Sequence, residues 1–130
     1  MSDNLEVRGC VLPLSLHYSV GDHTWVKLEE DGTASIGMTD VAQNLAGPLL
    51  HAKPKKVGAT RKKGKPVATV ESSKWVGPVK SPIAGEVVAV NEDVKTDPTV
   101  INRSPYKQGW IVRMQPSDLA ADMDGLLTGQ

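Results

Sequence analysis

Stretches of β-branched residues broken by Gly, Pro and Ser leave this chain little choice but short strands and tight turns. The run Val70-Glu71-Ser72-Ser73-Lys74-Trp75-Val76-Gly77-Pro78 shows the pattern most sharply. Strand-like residues 66–70 precede it, and after a break Gly85-Glu86-Val87-Val88-Ala89-Val90 gives a second strand signal. The pattern predicts a β-hairpin that holds Lys74 out into solvent at its tip. A lysine so placed is within reach of another enzyme's active site. Acylation there turns a point charge into a neutral amide. Exposure alone is weak support, because the chain has eleven lysines and most surface lysines are solvated charges.

The rest of the chain repeats the short-strand theme. Residues 1–20 have little periodicity and read as an extended arm. Residues 25–29 alternate, with Val26 and Leu28 on one face and Trp25 and Lys27 on the other. Asp31-Gly32 marks a hairpin turn, and residues 33–37 return. Thr39 or Asp40 caps a short helix over residues 41–45 that Gly47-Pro48 stops. Leu49-Leu50-His51 is a short strand, and Gly58 and Gly64 punctuate turns. Asp97 and Pro98 open a helical turn over residues 98–102, residues 109–114 form the last strand, and Ser117 caps a helix over residues 117–127. Many short strands with brief helices make a mainly β fold, a small sandwich or flattened barrel in a single domain over residues 1–130.

Composition narrows the function classes. With three Trp, two Tyr and no Phe, the core rests on Val, Leu, Ile and Ala. The net charge of zero gives no general attraction to nucleic acid or membrane, and no apolar stretch matches a membrane span. The start of the chain has neither signal-peptide nor transit-peptide layout, so a cytoplasmic location is expected. A single cysteine, Cys10, makes no internal disulfide and reads as a small apolar filler. His17, His23 and His51 are scattered without metal spacing, and Ser72 and Ser73 lack a nearby base. No catalytic constellation of the chain's own is expected.

Four motifs in register resemble the glycine-cleavage H proteins. Glu71-Ser72-Ser73-Lys74, then Pro82-Ile83-Ala84-Gly85-Glu86-Val87, is similar to the lipoyl-attachment signature E-S-x-K-A and P-x-x-G-E-I/V. His23-Thr24-Trp25-Val26 resembles H-E-W-V, residues 37–43 resemble G-I-T-D-x-A-Q, and residues 102–110 resemble N-x-x-P-Y-x-x-G-W. The resemblance implies a lipoyl-domain-like barrel-sandwich hybrid with short helices and a C-terminal helix. It implies lipoic acid bound covalently as N6-lipoyllysine at Lys74. Glu71 and Ser73 would serve recognition by the lipoate-attaching enzyme, and Trp75 would form a wall for the arm. Biotin carriers resemble M-K-M at this point, and Ser73 and Trp75 favour lipoate instead. The expected product is a monomeric carrier without an active site of its own.

Departures from the pattern refine the expectation. Thr24 stands at the Glu of H-E-W, Trp75 at the usual Ala, and Pro78 at the acid ending E-S-x-K-A-x-S-D. Residues 53–65 hold seven basic residues and no acid, where H proteins typically have acids; this segment reads equally as a solvated loop or a docking site. In these features the chain looks closer to the lipoate-binding proteins of bacterial sulfur oxidation. That likeness implies a heterodisulfide-reductase-like complex as partner and sulfur intermediates as cargo. The alternatives are a true H protein carrying an aminomethyl group, with dihydrolipoyl dehydrogenase among its partners, and an unmodified adaptor in lipoate transfer.

Overall fold

The computed structural model describes residues 4–7, 10–13, 17–19, 23–73, 75–117 and 127–128. Three antiparallel sheets account for its strands. β1 (Asn4–Val7) pairs with β2 (Cys10–Pro13). The largest sheet contains β3 (His17–Ser19), β4 (Thr24–Leu28), β5 (Ala34–Met38), β7 (Thr60–Arg61), β10 (Gly85–Val90), β11 (Val112–Pro116) and β12 (Leu127–Thr128), in the order β12-β3-β4-β5-β11-β10-β7. The third sheet has β8 (Pro66–Ser72) at its centre, flanked by β6 (Leu49–Pro54) and β9 (Val76–Lys80). Three short helices complete the described residues: α1 (Asp40–Ala46), α2 (Glu92–Thr96) and α3 (Thr99–Arg103).

The core lies between the two larger sheets. Val26 and Ile36 from β4 and β5, Val87 from β10, and Val112 and Met114 from β11 face Leu49, Val67, Val70 and Val79 from β6, β8 and β9. These are aliphatic side chains, as the lack of Phe requires. Trp25 is also buried, but on the other face of β4 in a separate cluster with Tyr106 and Trp110; its indole Nε1 donates to the Pro105 carbonyl at 2.9 Å. β4 therefore buries both faces at its start. Leu28, on the same face as Val26 by alternation, is 44% exposed.

The hairpin is built differently from the expectation. β8 pairs with β9, which contains Gly77 and Pro78, whereas β10 belongs to the larger sheet with β11 and β7. Gly and Pro hid β9 in the sequence. Proline is tolerated because β9 is an edge strand, where the missing N–H breaks no ladder bond to a second neighbour.

Other corrections are local. The N-terminal arm contains the β1–β2 hairpin and β3, which joins the large sheet. α2, capped by Asn91 whose side chain accepts from Asp93 N at 3.1 Å, was not anticipated. The last long strand begins at Val112, because Gly109 sits in a turn packed against the Ser104 carbonyl. Of the helix expected over residues 117–127, residues 118–126 lie outside the described residues, and Leu127 is in a strand opposite Tyr18. The helix cap is Thr39, whose Oγ1 accepts from Ala42 N at 3.2 Å. Gly58 and Gly64 turn the chain at φ 96° and 84°, values that favour glycine.

Candidate functional site

β8 and β9 converge on a closed tip. Glu71 pairs with Val76, and the next residue, Ser72, donates its N–H to the Trp75 carbonyl at 2.7 Å. Lys74 lies outside the described residues. Its neighbours Ser73 and Trp75 are both exposed, as is Glu71, which lies opposite His51 on β6. Trp75 does not simply project outward. A Cβ on Gly77 would collide with the Trp75 ring, so the indole lies folded over Gly77 along β9. Gly77 takes the place of the Ser in the E-S-x-K-A-x-S-D pattern, and the bulk at Trp75 explains why: the ring occupies the space a side chain would need.

The indole borders a groove of about 380 Å³. One wall is Trp75, Pro78 and Val79 of the hairpin. Another is His23, Thr24 and Met38 of the large sheet. Ala42, Leu45 and Ala46 of α1 close it. The groove brings together three of the sequence departures, Thr24, Trp75 and Pro78, and of the expected site residues that are described, Trp75 lines it. Glu71 and Ser73 stay on the outside of the tip. Among the described lining residues none is a carboxylate. Thr24 is 1% exposed, and its Oγ1 has no hydrogen-bond partner among the described residues. The preceding residue, His23, adopts φ 56°, a left-handed conformation uncommon for a residue with a side chain.

α1 is fastened from behind by the N-x-x-P-Y motif. Asn102 Nδ2 donates to Gln43 Oε1 at 3.0 Å and to the Gly47 carbonyl at 2.9 Å, and its Oδ1 accepts from Leu49 N at 3.0 Å. Tyr106 Oη accepts from Asp40 N at 2.7 Å at the start of the helix. These residues are supports of the groove. Sequence reading missed the α1 face itself, although Ala42, Leu45 and Ala46 carry the i, i+3, i+4 spacing of one helical side. Nothing in the sequence tied that side to a hairpin some thirty residues later.

The basic segment is not a loose loop. Lys55 N donates to the Val67 carbonyl and Gly58 N to the Val87 carbonyl, while Gly64 N and the Lys65 carbonyl bond the two backbone groups of Ser81. It is thus tied to both larger sheets. It lies at the Pro66 end of β8, six residue steps or about 20 Å from the tip at roughly 3.3 Å per residue. The carboxyls held below their ordinary range are elsewhere: Asp31 by the Thr33 hydroxyl, and Asp97 by the Thr99 hydroxyl and then Arg103. No metal-binding group of His, Cys, Asp and Glu occurs among the described residues, and no helix there is long and apolar enough to cross a membrane.

A sandwich with a two-strand tip beside a mainly apolar groove suits a carrier of a covalently attached group. The pattern of the family described as glycine cleavage H-protein matches residues 16–130, and the chain belongs to that family. It is 46% identical over 125 residues to glycine cleavage system H protein 2 of Aquifex aeolicus, covering 96% of this chain and 78% of that protein. It is 43% identical over 119 residues to the glycine cleavage system H protein of a Psychrobacter species, covering 92% and 93%. A crystal structure of the H protein from Mycobacterium marinum superposes with a TM-score of 0.80 at 32% identity, covering 90% of this chain and 92% of that one. Proteins of this family are lipoyl carriers without an active site of their own, with lipoate bound covalently on a lysine.

Proposed function

We propose that Lys74 is the lipoyl attachment point, and that the arm carries sulfur intermediates or electrons between enzymes of cytoplasmic sulfur oxidation, with a heterodisulfide-reductase-like complex as partner. The observation that carries this reading is the groove beside the hairpin tip, mainly apolar and with no carboxylate among its described lining residues. A bound lipoyl group supplies a strained disulfide that opens to two thiols and exchanges with other sulfur centres. The groove fits such a group: its size and apolar lining suit an alkyl chain, and Met38 and Trp75 offer polarizable surface to sulfur. Glu71 and Ser73, exposed on the tip, serve recognition by the lipoate-attaching enzyme.

Thr24 and Pro78 occupy the two places where the H-protein pattern has acids, and both line the groove. An aminomethyl cargo is cationic when protonated. Burying that charge without a carboxylate is costly. One specific finding favours the second reading, an aminomethyl carrier serving glycine decarboxylase, aminomethyltransferase and dihydrolipoyl dehydrogenase: the relatives above are named as glycine cleavage proteins. Mass analysis of the arm after turnover separates the two. A sulfur adduct at Lys74 supports the first reading, and an aminomethyl adduct supports the second. A chain that never acquires lipoate supports the unmodified adaptor instead.

The basic segment suits an acidic face on the partner oxidoreductase. Docking there leaves the tip free, since the two lie at opposite ends of β8. Replacing Lys55, Lys56, Lys62 and Lys63 by Gln should slow partner-dependent reduction of the arm by about tenfold at low salt. The difference should shrink as salt rises, because the Debye length falls to roughly 8 Å at physiological ionic strength. Lipoylation should be unchanged. Equal turnover of both proteins across the salt series makes the segment an ordinary solvated surface.

A further inference from the structure

The outer face of the large sheet, turned away from the core, carries a second cavity of about 460 Å³. One cross-strand row lines it, with Lys27 of β4 and Arg113 of β11 on either side of Ser35 of β5. Residues paired in register share a face, so both cations flank Ser35 with their backbones roughly 10 Å apart. Three of the chain's five aromatic side chains, Trp25, Tyr106 and Trp110, meet here, and Lys107, Glu29 and Asp93 also line the cavity. The guanidinium of Arg113 is fixed from two sides. Its Nε donates to Ser35 Oγ at 3.1 Å, and it sits 4.8 Å from the Trp110 ring centroid. Ser35 is buried, and its hydroxyl in turn donates to Glu29 Oε1 at 3.2 Å. The Nη groups of Arg113 are left as an oriented fork, with no ion pair among the described residues. Lys27 and Lys107 are likewise unpaired there; the ion pairs join Lys95 to Glu92 and Arg103 to Asp97. Asp31, which feels the Arg113 charge, is bonded to Thr33.

We propose that this cavity binds a small organic anion, its carboxylate or phosphate head held between Arg113 and Lys27 and its flat apolar body laid against Tyr106 and Trp110. A guanidinium fork already held in place donates two parallel hydrogen bonds to such a head and loses little freedom in doing so. Lys27, exposed at the other end of the row, adds a mobile charge, and exposed Lys107 adds another. Three cations against two carboxylates leave the lining with one positive charge in excess. Glu29 already accepts from Ser35, so it steadies the Ser35–Arg113 pair and does not neutralise the fork. An arginine that only covered Trp110 would need no buried serine to aim it. The size fits as well, since small-molecule sites run from about 300 Å³ upward. The inference is independent of the attachment at Lys74.

The test titrates the whole, isotope-labelled chain with benzoate, phenyl phosphate, inorganic phosphate and benzylammonium, following the Arg113 Nε–H and Trp110 indole N–H signals by NMR. Benzoate or phenyl phosphate should shift both signals saturably, with a Kd of about 0.1–5 mM. Inorganic phosphate, lacking the ring, should bind about tenfold more weakly, and benzylammonium should not bind. The tighter of the two ring-bearing anions tells a carboxylate ligand from a phosphate ester. Lys27→Gln and Arg113→Gln should each weaken binding about tenfold, the loss of one charge-assisted contact. Lys27 is exposed, so its variant keeps the fold and tests the site even where Arg113→Gln unfolds. No saturable shift with either ring-bearing anion up to about 20 mM overturns the site. So does benzylammonium binding as tightly as benzoate, or unchanged affinity in the folded variants. A capped glutamate-containing peptide that binds more tightly than both small anions overturns the small-ligand assignment and makes this face a protein docking surface.

Discussion

Lys74→Ala is expected to fold as the wild type does and to acquire no lipoyl group. Coexpression with a lipoate–protein ligase should add one lipoyl mass to the wild type and none to the variant. The hairpin is closed by the Ser72 N–H to Trp75 carbonyl bond and by the β8–β9 ladder, neither of which uses the side chain at position 74. The flanking Ser73 and Trp75 are exposed, so truncation between them should change stability by no more than about 0.5 kcal/mol. The other ten lysines are an internal control, since a ligase that read charge alone would modify them too. An adduct persisting in Lys74→Ala, with unchanged circular dichroism, would place the cofactor elsewhere.

Asn102→Ala is expected to give the largest loss of stability tied to the site. The Asn102 side chain joins α3 to the end of α1 and the start of β6 through three hydrogen bonds of 2.9–3.0 Å. Truncation strands the Leu49 N–H and the Gly47 carbonyl beside buried Leu49, and unmet buried polar groups cost about 1–3 kcal/mol each. A net loss of about 2–3 kcal/mol should lower Tm by roughly 10 °C. The groove should suffer as well, because α1 supplies Ala42, Leu45 and Ala46 to it. Thermal unfolding checks the first effect. The alkylation rate of the reduced arm checks the second and should rise. A variant with wild-type Tm would show that α1 is held by its own caps and by Tyr106 alone.

Much of the architecture was legible in local chemistry. The turn at Asp31-Gly32, the cap of α1 and the turns at Gly58 and Gly64 each follow from residues with one strong conformational preference. What escaped was decided at long range. β9 carries Gly and Pro, which argue against a strand, and only its place at a sheet edge makes them acceptable. Trp25 shares the period of Lys27, yet it is buried because the 104–110 loop covers that face of β4. At the site, the tip was readable from contiguous residues, while the groove is assembled from three separate parts of the chain. Thr24 and Pro78 were visible as departures. That they face one cavity with Trp75, and that Gly77 yields its space to the indole, required the fold.

The central claim is that the groove takes a sulfur cargo and not a cationic amine, and the most direct measurement is loading of the lipoylated protein by glycine decarboxylase with glycine. Aminomethyl transfer to the wild type should be at least about a hundredfold slower than to an H protein with acids at both positions, since an uncompensated buried charge costs about 3 kcal/mol or more. The double variant Thr24→Glu, Pro78→Asp should recover a measurable part of that rate. Loading of the wild type at the rate of the acid-bearing H protein would contradict the claim and make this chain an aminomethyl carrier.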